Sequence, residues 1–278
     1  MPAPRRLLEI LNDCSEYLKN HGVESPRLQA ELLMGHVLNM PRLHLYLNFE
    51  REISEETLAK LRPLLKRRGQ REPIQHITGE TSFCGLTLKC SPAALIPRPE
   101  TELLVELVVK NLREVTPGLI YDVGTGSGAL ALALASQLAG WRVVATDNSN
   151  AALELAKENH ARTPQLAVSW LCQSLLENQT KPAAAVVANL PYLTTEEMKN
   201  LPTEVRADPP SALHGGEDGL DFIRQLLPQA AQLAPRLFLE IGPVQAETMK
   251  ILAQQAGFAS VSVELDLAER PRFIVAVK

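Results

Sequence analysis

The stretch Leu119-Ile120-Tyr121-Asp122-Val123-Gly124-Thr125-Gly126-Ser127-Gly128, followed by Ala129-Leu130-Ala131-Leu132-Ala133-Leu134-Ala135, decides the fold. A short apolar strand runs into a glycine-rich turn, and the turn opens a helix of alanine and leucine. In that order they form the first unit of a doubly wound sheet, whose ligand sits at the carboxyl end of the strand. The glycines let the backbone approach a ligand closely, and the helix N-terminus offers unpaired N–H groups. Roughly twenty residues on, Arg142-Val143-Val144-Ala145-Thr146-Asp147 reads as a second strand ending in a carboxylate. A carboxylate there can accept hydrogen bonds from both hydroxyls of a ribose. Gly124 to Ala129 also satisfies the dinucleotide pattern G-x-G-x-x-G/A, so this stretch alone leaves a nicotinamide-dependent oxidoreductase open.

Further strands are expected at 166–170, 183–188 and 236–241, with helices between them. Such βα alternation calls for a parallel sheet covered on both faces. The tail breaks the pattern: 259–265 and 272–277 flank a short polar segment containing Pro271 and should pair as an antiparallel hairpin. The run Pro182 to Ala188 ends in Asn189-Leu190-Pro191-Tyr192. Asn supplies a carbonyl acceptor, the backbone carbonyls around the proline supply more, and Tyr supplies a flat face. That inventory suits a planar –NH2 group. An Asn-x-Pro turn is by itself common punctuation after a strand. Together with Asp122, two residues before the first glycine, it tilts the reading from NAD toward S-adenosylmethionine.

Before Gln75 the chain reads differently. Leu7, Leu11, Cys14 and Leu18 recur at helical spacing. Ser25-Pro26 looks like a cap and a first-turn proline, opening a helix with Leu28, Leu32 and Leu33. Leu58, Leu61, Leu64 and Leu65 mark another helix, bent or begun at Pro63. We expect a helical domain over 1–74 for substrate recognition, a β-hairpin linker over 75–95, and a catalytic domain over 96–278. A purely stabilising role for the first is the competing reading.

The 278 residues carry 45% hydrophobic side chains and a net charge of −4. The composition is that of ordinary globular protein, and no apolar run is long enough to span a bilayer. Glu9, Asp13 and Glu16 interrupt any signal-peptide core, so a cytoplasmic protein without membrane attachment is expected. Residues 1–75 hold 12 Lys/Arg and 10 Asp/Glu, leaving the remainder at −6. Stable binding of nucleic acid is not expected from such a balance. Lys66-Arg67-Arg68 and Arg71 concentrate the positive side, as cations at a helix C-terminus or as a docking patch. Cys14, Cys84, Cys90 and Cys172 have no metal-ligand spacing and read as buried free thiols. No metal is expected, and His214 is taken as a loop histidine.

Several longer segments carry a resemblance. Arg71 to Gly79, Phe83-Cys84-Gly85-Leu86, Ile96-Pro97-Arg98-Pro99-Glu100-Thr101-Glu102, Glu204-Val205-Arg206, Asp208 to Leu213 and Gly215 to Leu220 are similar to the N5-glutamine methyltransferases of peptide chain release factors. The resemblance covers nearly the whole chain. It implies an α/β Rossmann-like methyltransferase sheet, mostly parallel with one antiparallel strand near the C-terminal end, plus a small all-α N-terminal domain. It implies S-adenosylmethionine as cofactor and, as substrate, the glutamine of a Gly-Gly-Gln loop in a class I release factor, acted on by a monomer. By the same resemblance, Gly124, Thr125, Gly126, Ser127 and Gly128 would hold the methionine end of the cofactor. Asp147 would hold its ribose, Leu175 would line the adenine, and Asn189 would border the cofactor as well as the substrate. Asn189 and the Leu190 carbonyl would accept the two N–H bonds of the target amide, with Pro191 and Tyr192 packed on its plane.

Two positions depart from the family pattern. Leu190 stands where a proline is usual, and Asn-Leu-Pro-Tyr is typical of ribosomal RNA adenine dimethyltransferases. An RNA adenine N6-methyltransferase is therefore the alternative. Ser174 stands where an acidic residue is common.

Overall fold

A computed structural model describes residues 5–278, which divide into two compact units. The first takes the chain up to Gly79 together with Pro202–Ala207. Helices α1 (Leu7–Asn20), α2 (Pro26–Leu38), α3 (Arg42–Tyr46), α4 (Glu55–Gly69) and α5 (Ile74–Thr78) build it, and two-residue strands β1 (Arg5–Arg6) and β2 (Glu52–Ile53) pair antiparallel. Its core holds Leu7, Leu11, Leu18, Leu33, Met34 and Leu45. Ser25 does not cap α2 as expected; it sits in the left-handed region at φ 47° and its side chain makes no cap hydrogen bond. Pro63 lies inside α4, which runs through it. The expected linker begins too early: Pro73 and the left-handed Gly79 bound a helix over residues the sequence reading gave to a hairpin.

The basic cluster of this unit is engaged internally. Arg67 pairs with Glu72, and buried Arg68 donates to Gln29 Oε1 and the Glu72 carbonyl at 3.0 Å each. Arg68 and Arg71 also converge on Glu204, at 3.1 and 2.8 Å. These arginines hold 202–207 to the helices of the unit. Burial alone would raise the Glu204 carboxyl, but the two guanidinium partners prevail and hold it at about 2.

The second unit spans Glu80–Leu201 and Asp208–Lys278. Strands β3 (Glu80–Phe83) and β4 (Leu86–Lys89) form a hairpin, and helix α6 (Pro99–Leu112) follows. The order then runs β5 (Leu119–Val123), α7 (Ala129–Gln137), β6 (Arg142–Asp147), α8 (Asn150–His160), β7 (Val168–Cys172), β8 (Ala185–Ala188), α9 (Thr195–Lys199), α10 (Asp221–Leu233), β9 (Arg236–Glu240), α11 (Ala246–Gln255), β10 (Ser260–Leu265) and β11 (Pro271–Val277). The seven-stranded sheet has the order β10-β11-β9-β8-β5-β6-β7. All pairs from β9 to β7 are parallel, while β11 lies antiparallel between β9 and β10. This is the expected Rossmann-like sheet with its single reversed strand.

Because successive strand side chains point to opposite faces, the sheet buries two cores. Leu119, Tyr121, Val123, Val186, Leu237 and Leu239 pack with Ile223, Leu226 and Met249 of α10 and α11. Ile120, Val187, Phe238 and Val275 pack on the other side with Leu104, Val108 and Leu130 to Leu134 of α6 and α7. The cysteines do not all follow the expectation of burial. Cys14 and Cys90 are buried, Cys84 is half-buried, and Cys172 is exposed at the end of edge strand β7.

Candidate active site

A cavity opens at the carboxyl ends of β5, β6 and β8, where the sheet changes direction. Gly124, Thr125, Gly126 and Ser127 line it, with Asp147, Ser174, Leu175, Asn189, Leu190 and Pro191. Its empty space is about 1010 Å³ with the open solvent at its mouth included.

The glycine turn is held mainly by hydrogen bonds to the end of β6. Gly124 and Thr125 donate to the Thr146 carbonyl at 2.9 and 3.0 Å, and Gly128 donates to Thr125 O at 2.9 Å. Gly126 N–H donates to Asp147 Oδ2 at 2.9 Å, and Ser149 N–H to Asp147 Oδ1 at 2.8 Å. Asp147 thus fixes the turn and the start of the β6–α8 loop, and each oxygen keeps a lone pair for a further donor. Asp122 is fully buried and takes the Thr125 hydroxyl on Oδ2 at 2.6 Å, while its Oδ1 has no hydrogen-bond partner. Burial pushes this carboxyl up to about 7, against the lowering effect of Thr125.

Leu190 decides how the clamp meets this turn. It is buried, and an added Cβ at Gly124 (φ +72°) would lie 2.8 Å from its Cδ2. The side chain therefore closes over the first glycine, a contact that only glycine permits there. Leu175 is a second unusual lining residue, a buried leucine at φ 48°. A bulky residue in the left-handed region is strained, and Gln173 Nε2 donates to its carbonyl at 3.1 Å.

Behind the clamp stands an assembly that sequence reasoning missed. Gln245 is buried, and its Nε2 donates to Tyr192 O at 3.0 Å and to the Asp218 and Gly219 carbonyls at 3.3 Å each. Its Oε1 accepts from Gly242 N–H at 2.9 Å. Asn189 Nδ2 donates to Thr101 Oγ1 at 3.1 Å, and Thr101 Oγ1 donates to Glu240 Oε2 at 2.8 Å. Burial raises Glu240 to about 7, although Thr101 and Arg272 both favour its ionised form. Asp208 accepts from Ile96 N–H at 3.1 Å and pairs with Arg98, joining the segment before α6 to the loop after the clamp. The segments Ile96–Glu102 and Asp208–Leu213 were conspicuous in the sequence, but their contacts with each other were not.

Two expected site residues stand back from the cavity. Gly128 is not among its lining residues; a Cβ there would strike the Trp170 ring at 2.8 Å, so this glycine serves packing. Tyr192 is not a lining residue either. Its hydroxyl accepts from Arg272 Nη1 at 3.4 Å, and burial pushes its phenol to about 12. Conversely, Ala94, Arg98, Thr101, Ser211 and Phe222 reach the wall although the sequence assigns none of them a role at the site. His214 bonds Thr195 Oγ1 at 3.0 Å and is outside the lining. Among the described residues no group of three or more His, Cys, Asp or Glu is placed to hold a metal, and no helix is long and apolar enough to cross a membrane.

Comparison with known proteins agrees with this geometry. Residues 99–217 match the methyltransferase small domain family, and residues 9–79 match the PrmC N-terminal domain family. A 16S rRNA N2 G1207 methyltransferase of T. thermophilus shares the fold, with a TM-score of 0.53 and 20% identity over 72% of this chain and 49% of that one. The two family matches place the chain among methyltransferases. The release factor glutamine methyltransferase of Deinococcus radiodurans is 40% identical over 274 residues, 98% of each chain. That of Moorella thermoacetica is 40% identical over 278 residues, again 98% of each. The chain belongs to the release factor glutamine methyltransferase family.

Proposed function

We propose that this chain transfers a methyl group from S-adenosylmethionine to the side-chain amide nitrogen of the glutamine in a Gly-Gly-Gln loop of a class I release factor. The observation that carries this reading is the shared wall. Asn189, Leu190 and Pro191 border the same cavity as the Gly124–Ser127 turn and Asp147. The residues present fit the cofactor. Gly124 and Gly126 line the cavity at positive φ with no side chain toward it, and each Asp147 oxygen on the same wall keeps a lone pair for a further donor. Gly124, Thr125, Gly126 and Ser127 would hold its methionine end, Asp147 its ribose hydroxyls, and Leu175 its adenine. S-adenosylmethionine supplies a methyl already activated by its sulfonium.

The protein's task is placement. An amide nitrogen is a poor nucleophile because its lone pair is delocalised, so orientation and charge arrangement matter more than a strong base. Asn189 Oδ1 and the Leu190 carbonyl accept the two N–H bonds of the glutamine amide and aim the nitrogen into the cavity. Pro191 packs on the amide plane, and Tyr192 backs the clamp with its hydroxyl tied to Arg272. The helical N-terminal unit serves substrate recognition. The test is a split between turnover and binding. Asn189→Ala should lower methyl transfer by about 100-fold, as loss of one preorganised polar contact does, while S-adenosylhomocysteine affinity falls far less. Equal losses in both would place Asn189 at the cofactor alone.

A further inference from the structure

The orientation of the Asn189 amide is decisive for the proposed reaction, because its two ends have the same shape and opposite polarity. With Oδ1 toward the cavity it accepts the target –NH2; with Nδ2 there it opposes it. We propose that Thr101 and Glu240 are positioning residues that set this orientation, with ionised Glu240 directing Asn189 Oδ1 toward the substrate amide. The inference rests on the reading of Asn189 as the amide clamp.

The fold brings the three residues together. Ala188 pairs with Leu239 across β8 and β9, so Asn189 and Glu240 occupy the next position on each strand. Alternation puts both on the face that α6 covers, and Thr101 stands in the first turn of α6. Thr101 and Glu240 are 5% and 3% exposed, so the bond between them is shielded from bulk water. Asn189 Oδ1 accepts no hydrogen bond from the described residues.

Polarity then follows from proton counting. Threonine has one hydroxyl proton and two acceptor lone pairs, and an ionised carboxylate only accepts. With Glu240 ionised, the Thr101 proton goes to Oε2, so Thr101 can meet Asn189 only as an acceptor. Nδ2 turns inward and Oδ1 outward, the arrangement observed. With Glu240 protonated, its O–H can donate to Thr101 Oγ1. The Thr101 proton is then free for Asn189 Oδ1, and the amide can invert to present Nδ2 to the substrate.

Glu240 is a group for which both states lie within reach. Arg272 on β11 and Arg98 just before α6 favour the ionised form, whereas burial and Glu100 of α6 oppose it. Tyr192 also faces it, with the phenol raised and therefore neutral. The balance falls at about 7. The productive orientation should therefore be lost as pH falls through that value.

The experiment measures single-turnover glutamine methylation of a release factor at saturating cofactor, from roughly pH 6 to 8. The wild type should rise with pH through one ionisation, and Glu240→Gln should abolish that rise. Thr101→Val should lower kcat by about 100-fold with the release-factor KM little changed, and Thr101→Ser should recover most of the loss. S-adenosylhomocysteine affinity should stay within about threefold in every variant. A Thr101→Val enzyme within about threefold of wild type, or a pH rise retained by Glu240→Gln, overturns the inference. Should Thr101→Val fail to fold, the comparison of wild type with Glu240→Gln decides it. Wild-type protein that methylates no glutamine overturns the proposed function itself. Wild-type transfer with a flat pH profile overturns only the role of Glu240.

Discussion

Gln245→Glu is the sharpest perturbation of the clamp's support, because it changes one donor into an acceptor with almost no change of shape. Gln245 Nε2 faces three carbonyl oxygens, those of Tyr192, Asp218 and Gly219, at 3.0 to 3.3 Å. A glutamate keeps the bond from Gly242 N–H but sets a second oxygen against all three carbonyls. The Tyr192 bond is lost, at about 1 kcal/mol net, and buried acceptors are left unpaired at about 1–3 kcal/mol more. Together these predict a loss of about 2–4 kcal/mol in urea unfolding at pH 8. The introduced carboxyl would ionise with difficulty in this buried site, so its folded pKa is raised above the unfolded one. A raised acid destabilises at high pH and ceases to do so once pH falls below its unfolded value. The deficit should therefore shrink on acidification, since a protonated carboxyl can donate to Tyr192 O. Methyl transfer should fall with it, as the Tyr192 backbone is released. A variant within about 0.5 kcal/mol of wild type at pH 8, or a deficit independent of pH, would refute the assignment of Gln245 as the strut behind the clamp.

Three further outcomes are expected. Asp147→Ala should weaken S-adenosylmethionine binding by about 1.5–3 kcal/mol, the range for hydrogen bonds to a charged group, as read by calorimetry; a much smaller loss would confine Asp147 to fixing the Gly126 and Ser149 amides. Gly124→Ala should destabilise the protein and lower cofactor affinity through contact with Leu190 Cδ2 at 2.8 Å. In a Leu190→Ala background the steric part should vanish and about 1–2 kcal/mol of left-handed strain remain, so strictly additive losses would argue against the contact. Glu204 has a folded pKa of about 2 against an ordinary 4.5, so its stabilisation is present above the ordinary value and lost as pH falls toward 2. Glu204→Gln should cost about 1.5–3 kcal/mol near neutrality, with the gap to wild type closing between roughly pH 5 and 2.

The sheet was legible because its strands are short apolar runs that end in glycine, carboxylate or amide. β5 falls at 119–123 as expected, and the antiparallel tail follows the break around Pro271. β7 was placed two residues early. It is an edge strand with only partial burial, so its apolar pattern fixes its register weakly. The helix over Ile74–Thr78 was hidden by its brevity, too short to show a period. Within the site, Asn189, Leu190, Pro191, Asp147 and the glycine turn could be read from local spacing. Thr101, Glu240 and Gln245 could not, because the bonds that tie them to the clamp join residues 53 to 139 positions apart. Gly128 and Tyr192 show the converse limit. Both can be read along the chain, but their contacts with Trp170 and Arg272 cannot.

The position of the transferred methyl group tests the account most directly. The protein should be incubated with methyl-labelled S-adenosylmethionine, a class I release factor and ribosomal RNA together, and the label located by mass spectrometry. The account predicts a single methyl on the side-chain nitrogen of the Gly-Gly-Gln glutamine, absent when Asn189 is alanine. Label on RNA adenine, with none on the release factor, would contradict it and make Leu190 the residue that set the substrate.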